Sequence, residues 1–223
     1  MAKYHYQYGV IPTNGRHCFR QAAEALRWQV DDLIVVEAGP DARYIDTQGY
    51  GLGLDVSVVR EPDLNISKWW NLGITLAAGK AEEVEAKTWD VVIINDDVIV
   101  PDGWVRSVSK TMREMKVAAA CSGGRGPIPV LHTQPGPVDL MTRMQGFAFI
   151  LAGEKGVRAD EQLVWWFGDD HIDWCSRKLG GMVMIPGYHV EHLYPNGQMT
   201  PELHAQTAKD AAAFKAYWRV MPW

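Results

Sequence analysis

The sequence lacks the features that would place the protein in a membrane or in an oxidising compartment. Its 223 residues include only three cysteines, which lie far apart and form no CxxC pair. Neither a disulfide framework nor a thiolate zinc site is therefore expected. No run of about 18 apolar residues occurs, and the amino terminus has no apolar core typical of a signal peptide. We expect a cytoplasmic protein without a transmembrane segment.

The chain also lacks the usual sequence signatures of nucleic-acid and phosphate binding. Its net charge is −5, and no stripe of Lys and Arg interleaved with aromatic residues is present. Binding to nucleic acid is therefore not expected. No GxxxxGK[ST] motif occurs, and no GxGxxG follows the first apolar run. The glycines of residues 49–53 predict a turn or a flexible flap instead. If a nucleotide binds, metal and side chains must hold its phosphates.

Apolar runs alternate with helix-like segments in the first half of the chain. The composition, 47% hydrophobic and 22% charged, is sufficient for a substantial core. We predict strands at residues 8–12, 33–37, 54–59 and 90–95, with helices at residues 17–29 and from Ser67 onward. This alternation indicates an α/β fold with a parallel sheet, whose ligands bind beyond the carboxyl ends of the strands.

The second half is less regular, although it shows no break that would separate a domain. We predict helices at residues 103–115 and 207–218, a Gly/Pro-rich loop at residues 123–137, strands at residues 144–151 and 182–186, an acidic helix start at residues 169–173 and a polar turn at residues 191–197. The last helix should dock on the body of the protein. We expect one compact domain over residues 1–223, with a nucleotide-binding half at residues 1–100 and an acceptor-binding half at residues 101–223.

The most informative motif is Asn95-Asp96-Asp97, which directly follows the apolar run at residues 90–94. Carboxylates at the carboxyl end of a parallel strand face the ligand crevice. Such a pair can hold a hard divalent cation, whose other positions are filled by water and phosphate oxygens. The alternative is a simple turn, because Asp and Asn favour strand ends and Pro101-Asp102-Gly103 follows.

Four segments together resemble the GT-A glycosyltransferases, especially the family-2 type. They are residues 10–16 (VIPTNGR), residues 67–74 (SKWWNLGI), Asn95-Asp96-Asp97 as a variant of the DxD motif, and residues 167–177 (FGDDHIDWCSR). Their order matches that of the family over roughly residues 8–197. The resemblance implies a GT-A, Rossmann-like mixed and mostly parallel sheet flanked by helices. It also implies a nucleoside-diphosphate sugar as donor, with a UDP-sugar favoured, and Mn²⁺ or Mg²⁺ as cofactor.

The resemblance further implies which residues bind the donor. Those at the corresponding positions are Pro12, Thr13, Asn14, Glu37, Lys68, Asn71, Asn95 and Asp96. Lys68 would neutralise phosphate charge, and Asp96 would reach the ribose or the sugar. Glu37 is alternatively a strand-end charge, and Lys68 is alternatively a solvent-exposed side chain.

By the same resemblance, Asp97 would ligate the metal, together with a downstream histidine. Alternation along an extended chain places His189 and His192 on opposite faces. We favour His192 because it precedes the turn at residues 195–197, which could close over a diphosphate. Glu191 is a neighbouring carboxylate that could substitute, and an ordinary strand-end histidine is the simpler interpretation.

Inverting glycosyl transfer needs a carboxylate to take a proton from the acceptor hydroxyl. We favour Asp170, although the overlay on the family motif leaves Asp169 and His171 as alternatives. Asp is also a favoured N-cap and stabilises a helix dipole, while Asp173 and Arg177 have the spacing of an i,i+4 ion pair. These structural roles are compatible with catalysis at a helix start that faces the crevice.

Two adjacent tryptophans, Trp165 and Trp166, precede the acidic segment, where an acceptor would lie. Indole faces can stack on sugars, although aromatic residues also dominate ordinary cores. The acceptor is a glycan, a protein or a small molecule, and a homodimer is possible.

Two other functions fit parts of the sequence. A nucleotidyltransferase could use a similar sheet, and a carbohydrate-binding module could use the tryptophans without catalysis.

Overall fold

The computed structural model describes residues 5–38, 56–123, 126–194 and 200–223. The strands are β1 His5–Thr13, β2 Asp32–Ala38, β3 Val56–Glu61, β4 Thr88–Ile94, β5 Val98–Ile99, β6 Ala119–Ser122, β7 Val130–His132, β8 Ala148–Ala152, β9 Met182–Ile185 and β10 Glu191–His192. The helices are α1 Phe19–Arg27, α2 Ile66–Glu83, α3 Trp104–Glu114, α4 Gly168–Lys178 and α5 Pro201–Trp218, with a short 3-10 helix at Gly153–Lys155.

Eight of these strands form one mixed sheet in the order β3-β2-β1-β4-β8-β6-β9-β7. Strands β1, β2, β3 and β4 are parallel to one another, β8 runs antiparallel between β4 and β6, β9 is parallel to β6, and β7 is antiparallel to β9. Strands β5 and β10 form a separate antiparallel pair. The single domain is therefore a mostly parallel α/β sheet, as the sequence predicts.

The central strands are buried on both faces because helices cover both sides of the sheet. In β4, Val91 and Ile93 belong to the core on the side of α2, whereas Val92 and Ile94 belong to the core that contains residues of α1 and α3. All four have no exposed surface. This double burial explains why β4 is a continuous apolar run rather than an alternating pattern.

Helix α2 is fixed by its cap and by a close approach to the sheet. The Asn65 side chain caps the helix by accepting a hydrogen bond from the Lys68 backbone N–H at 3.0 Å. About two turns beyond this cap, Gly73 faces β1 so closely that a Cβ would lie 2.2 Å from Val10 Cγ1. Glycine at this position lets α2 pack directly on β1.

A smaller core lies beneath α5, where Phe214 packs with Phe167 and Trp174. Helix α5 thus docks on the body of the protein, as predicted, and it begins at Pro201 rather than at residue 207. Among the described helices, none combines the length and the apolar content needed to cross a membrane.

Three predictions about the second half need correction. The predicted loop at residues 123–137 contains β7, whose short and half-exposed segment has little apolar pattern of its own. Strand β8 begins at Ala148, four residues later than predicted, because residues 144–147 lie along a cavity instead of joining the sheet. The polar turn predicted at residues 191–197 begins instead with strand β10, Glu191–His192. Its last part, residues 195–197, and the predicted flap at residues 49–53 fall outside the described residues.

Candidate functional site

The acidic motif lies where β4 leaves the sheet. Asp96 and Asp97 are only 6% and 3% exposed, although both are charged residues at a strand end. Thr13, at the end of the neighbouring β1, donates its hydroxyl to Asp96 Oδ2 at 2.7 Å. The carboxyl ends of two adjacent parallel strands therefore meet at this motif, as the fold requires.

A guanidinium lies against both carboxylates. Arg16 Nη1 is 2.7 Å from Asp97 Oδ2 and 3.4 Å from Asp96 Oδ1. Arg16 follows Gly15, which adopts a φ of +80° in the left-handed region that favours glycine. The loop after β1 thus turns a basic side chain back onto the acidic motif of β4.

The pairing of β5 with β10 brings a histidine to the same motif. His192 pairs with Val98, and the Leu193 backbone N–H donates to the Asp97 carbonyl at 2.8 Å. As a result, His192 Nε2 lies 3.3 Å from Asp97 Oδ1. The His192 ring also packs on Phe147, with ring centroids 4.8 Å apart. Two side chains that are 95 positions apart in sequence are adjacent because of one short strand pair.

The two carboxylates experience different surroundings. Burial raises the pKa of Asp96 to about 6, although Arg16 and the Thr13 hydroxyl oppose the shift. Burial also acts on Asp97, but the neighbouring His192 and Arg16 outweigh it and hold the pKa of Asp97 below its usual range. Asp97 therefore stays ionised to lower pH than Asp96 does.

The motif opens into a cavity of about 690 Å³. Nine of the residues predicted for the site line it: Pro12, Asn95, Asp96, Asp97, Trp165, Trp166, Asp169, Asp170 and His192. The acidic motif and the start of α4 thus share one cavity, which is large enough for a sugar-sized ligand.

A second acidic pair is contributed by the first turn of α4. Asp170 is 4% exposed, and burial together with the charge of Asp169 raises its pKa to about 8. Burial also raises the pKa of Asp169. Arg143 opposes both shifts, and its Nη1 lies 3.1 Å from Asp170 Oδ1. A carboxyl that titrates near neutral pH beside a cation is suited to proton transfer.

Neither aspartate caps α4, which corrects one alternative drawn from the sequence. The N-cap is Phe167, with a φ of +62° and no side-chain cap bond, so Asp169 and Asp170 lie within the first turn. There they still interact favourably with the helix dipole. The predicted ion pair is present, because Arg177 Nε donates to Asp173 Oδ1 at 2.7 Å.

His171 points to a different environment. Its Nδ1 accepts a hydrogen bond from Trp218 Nε1 at 3.2 Å, and its Nε2 lies 3.3 Å from Cys175 Sγ. Burial lowers the pKa of His171. It is absent from the cavity lining formed by the described residues. Of the three candidate bases, only Asp169 and Asp170 border the cavity.

The two predicted tryptophans border the cavity and also pack. Trp165 meets Trp69 edge to face at 5.8 Å, and Trp166 Nε1 donates to the Leu203 carbonyl at 3.2 Å. The segment that carries them is held by Asp210 of α5, which has no exposed surface and accepts the backbone N–H groups of residues 164–166 at 2.8 to 3.1 Å. Helix α5 therefore positions the approach to α4.

Five predicted donor residues do not line the cavity. Thr13 contacts it through Asp96, and Glu37 is adjacent to Thr13 in the register of β1 and β2. Asn14 is exposed in the following loop. Lys68 pairs with Asp63 at 2.5 Å, away from the cavity.

Asn71 has a structural position. Its side chain donates to the Ala159 carbonyl at 3.0 Å and accepts from the Ala159 backbone N–H at 2.9 Å. It therefore joins α2 to the segment that precedes α4. Lys68 and Asn71 thus contact protein groups in this structure, and their predicted contacts with a donor stay a prediction.

Sequence reasoning did not assign several cavity residues to the site. They include Arg16, Arg143, Phe147, Tyr194, His204 and Trp223. Arg16 is the last residue of the segment 10–16 that resembles the GT-A family. A basic residue next to the predicted nucleotide pocket could therefore have been assigned to the site from the sequence. Arg143 and Trp223 lie in segments without a motif, and only the fold brings them to the cavity.

The polar atoms around Asp97 fit a hard divalent cation. Asn95 Oδ1 is buried and has no hydrogen-bond partner among the described residues. Asp97 Oδ1 is also buried, and its polar neighbour is His192 Nε2 at 3.3 Å, in an arrangement that does not form a well-aligned hydrogen bond. Buried oxygens with incomplete hydrogen bonding favour a ligand, because leaving them unsatisfied is costly. The described ranges contain no cluster of three or more His, Cys, Asp or Glu side chains arranged for a metal. The protein would thus supply few ligands and leave positions for water and phosphate, as Mg²⁺ and Mn²⁺ sites commonly do.

Comparisons with known proteins support the fold. No protein-family model matches the chain, and no curated protein matches it by sequence. The crystal structure of S. aureus TarS 1-349 superposes with a TM-score of 0.55 at 14% identity, over 96% of this chain and 73% of that one. A second S. aureus TarS structure gives 0.58 at 14% identity, over 94% of this chain and 40% of that one. The chain therefore has a GT-A-like fold, the fold of these glycosyltransferase structures.

Proposed function

We propose that this protein is a glycosyltransferase of the family-2 type that transfers a sugar from a nucleoside-diphosphate donor to an acceptor hydroxyl. The observation that carries the proposal is the cavity that Asp97 shares with Asp170 on a GT-A-like fold. One acidic group can serve the leaving diphosphate while the other serves the acceptor. Because these chemical tasks are separate, a transferase needs both groups in one cavity.

The donor is held on the side of the acidic motif. Asp97 and His192, which lie 3.3 Å apart, would hold Mn²⁺ or Mg²⁺, and Asp96, beside them in the cavity lining, would contact the ribose or the sugar. The bound ion supplies positive charge that stabilises the departing diphosphate. Thr13 and Glu37 lie at the ends of the neighbouring strands, on the side that we assign to the nucleoside, and we favour a UDP-sugar.

The acceptor is activated on the side of α4. In its ionised form, Asp170 takes the proton of the acceptor hydroxyl as that oxygen attacks the anomeric carbon. The bond from this carbon to the diphosphate breaks on the opposite face, so the reaction inverts configuration. Arg143 stabilises the ionised form of Asp170 through its 3.1 Å contact, and Asp169 opposes it. Trp165 and Trp166 line the cavity beside this base and offer aromatic surface to a sugar acceptor.

Calorimetric binding of UDP, GDP and dTDP tests the donor site, with each nucleotide measured in Mn²⁺ and in EDTA. We expect one nucleotide to bind tightly to the wild type with Mn²⁺. Binding should weaken at least about a hundredfold in EDTA and in Asp97→Ala, because loss of a metal ligand or of the metal removes the phosphate contacts. Asp102→Asn is a matched control, since Asp102 is exposed and lies outside this cavity.

The products then identify the reaction. Release of a nucleoside diphosphate from a donor sugar supports the transferase, whereas release of pyrophosphate would indicate nucleotidyl transfer. Absence of nucleotide binding under every condition would overturn the proposal. Sugar binding that survives both EDTA and Asp97→Ala would instead indicate a carbohydrate-binding module.

A further inference from the structure

We propose that Arg16 couples metal binding to diphosphate binding. Its guanidinium balances the charge of Asp97 when the site holds no phosphate, and it contacts the diphosphate when metal and donor are bound. This inference rests on the proposed function, since it assigns a role within the same site. It concerns a residue that neither the sequence motif nor the fold comparison assigns.

The loop after β1 holds Arg16 in place. The Thr13 hydroxyl donates to Asp96 Oδ2 at 2.7 Å and accepts the Gly15 backbone N–H at 3.0 Å. The Arg16 carbonyl accepts the Phe19 backbone N–H at 3.1 Å, at the start of α1. Because both sides of the loop are tied, the guanidinium is pre-organised beside the acidic motif.

The two oxygens of Asp97 have different neighbours. Arg16 Nη1 contacts Oδ2 at 2.7 Å, while Oδ1 is buried, has no hydrogen-bond partner among the described residues, and lies 3.3 Å from His192 Nε2. A cation can therefore use Oδ1 without displacing Arg16. It must nevertheless bind beside a fixed positive charge, which repels it in a partly buried site. Arg16 should thus weaken the binding of metal alone.

A diphosphate reverses the sign of this effect. Arg16 lines the cavity, and its side chain is 22% exposed. Among the described residues, its hydrogen bond to Asp97 uses only Nη1, although a guanidinium has five N–H donors in a planar fork suited to phosphate oxygens. Once negative phosphate is present, both Arg16 and the metal are attracted to it. Each ligand then promotes the binding of the other, which is positive coupling between two sites.

The test uses Mn²⁺ and inorganic pyrophosphate, so that neither nucleoside nor sugar contributes. Calorimetry and Mn²⁺ electron paramagnetic resonance measure Mn²⁺ alone, pyrophosphate alone, and pyrophosphate with saturating Mn²⁺. In Arg16→Gln we expect Mn²⁺ alone to bind about fivefold tighter and pyrophosphate with Mn²⁺ to bind about tenfold weaker. Arg16→Lys retains the charge without the fork, so Mn²⁺ alone should bind as in wild type and pyrophosphate should bind more weakly.

The opposite signs separate coupling from a structural role. A merely structural Arg16 would weaken both ligands together and lower the melting temperature, and that result would overturn the inference. Unchanged Mn²⁺ affinity in Arg16→Gln, or unchanged pyrophosphate affinity, would also overturn it. The inference would also be overturned if the wild-type protein bound neither Mn²⁺ nor pyrophosphate. Arg20→Gln is the control, because Arg20 lies exposed on α1 and outside the cavity.

Failure of the proposed function has a different signature. If pyrophosphate binds with Mn²⁺ and shows the expected signs in Arg16→Gln, while UDP, GDP and dTDP all fail to bind, the coupling stands and the nucleotide-sugar donor is wrong. If a nucleotide binds with Mn²⁺ but Arg16→Gln changes nothing, the donor assignment stands and the coupling is wrong.

Discussion

Replacing the candidate base Asp170 with asparagine should remove activity but stabilise the folded protein relative to wild type. This difference in the free energy of unfolding should grow as pH rises. Asp170 is 4% exposed, and burial together with Asp169 raises its pKa from an ordinary 3.8 to about 8. The folded protein therefore keeps a proton that the unfolded chain loses. Asp170→Asn has nearly the same shape as the protonated side chain and never ionises.

The sign and size of the effect follow from proton linkage. Below about pH 4, Asp170 is protonated in both the folded and the unfolded wild type. The free energy of unfolding should therefore depend on pH in nearly the same way in the variant and the wild type. As pH rises from about 4 to about 8, the wild type loses stability by up to about 1.4 kcal/mol per pH unit. Coupling to Asp169 spreads this loss over the pair. We expect a relative gain for Asp170→Asn of about 1 to 3 kcal/mol between pH 5 and pH 7.5.

The assay is urea unfolding of both proteins, followed by tryptophan fluorescence at several pH values across this range. The free energy of unfolding of Asp170→Asn minus that of wild type should rise with pH and level off above about pH 8. Asp102→Asn serves as the control, because Asp102 is exposed and its replacement should give a curve parallel to wild type. Parallel curves for Asp170→Asn and wild type would refute the buried, proton-holding carboxyl.

Three further predictions concern the segment before α4, the cavity wall and the packing of the core. Asp210→Ala removes a buried acceptor of the N–H groups that lead into α4, so it should lower the free energy of unfolding by about 2 to 4 kcal/mol in urea titrations. Gly146→Ala would place a Cβ 2.7 Å from Asp169 Oδ2, so donor turnover should fall about tenfold or more while calorimetric UDP–Mn²⁺ affinity stays within about twofold. Gly153→Ala would place a Cβ 2.2 Å from the Trp89 ring, so thermal unfolding should reveal a loss of about 2 to 4 kcal/mol without changed nucleotide affinity; an unchanged melting temperature would contradict this packing.

Most of the first half of the fold and the location of the acidic motif were predictable from local patterns of residues. Strands buried on both faces must be continuous apolar runs, and β4 is such a run that ends directly before Asn95. Helix α2 was equally readable, because its apolar positions recur at helical spacing. These features depend on residues close together in the chain, so the pattern itself carries the information.

The assembly of the site depends on contacts between segments that are distant in the chain. Asp97 meets His192 because β5 pairs with β10, and Arg143 reaches Asp170 across 27 positions. A long-range contact also reduces the three candidate bases to Asp169 and Asp170. The hydrogen bond from Trp218 holds His171 away from the cavity lining. Contacts between distant segments depend on strand register and packing, and no local pattern of residues encodes them.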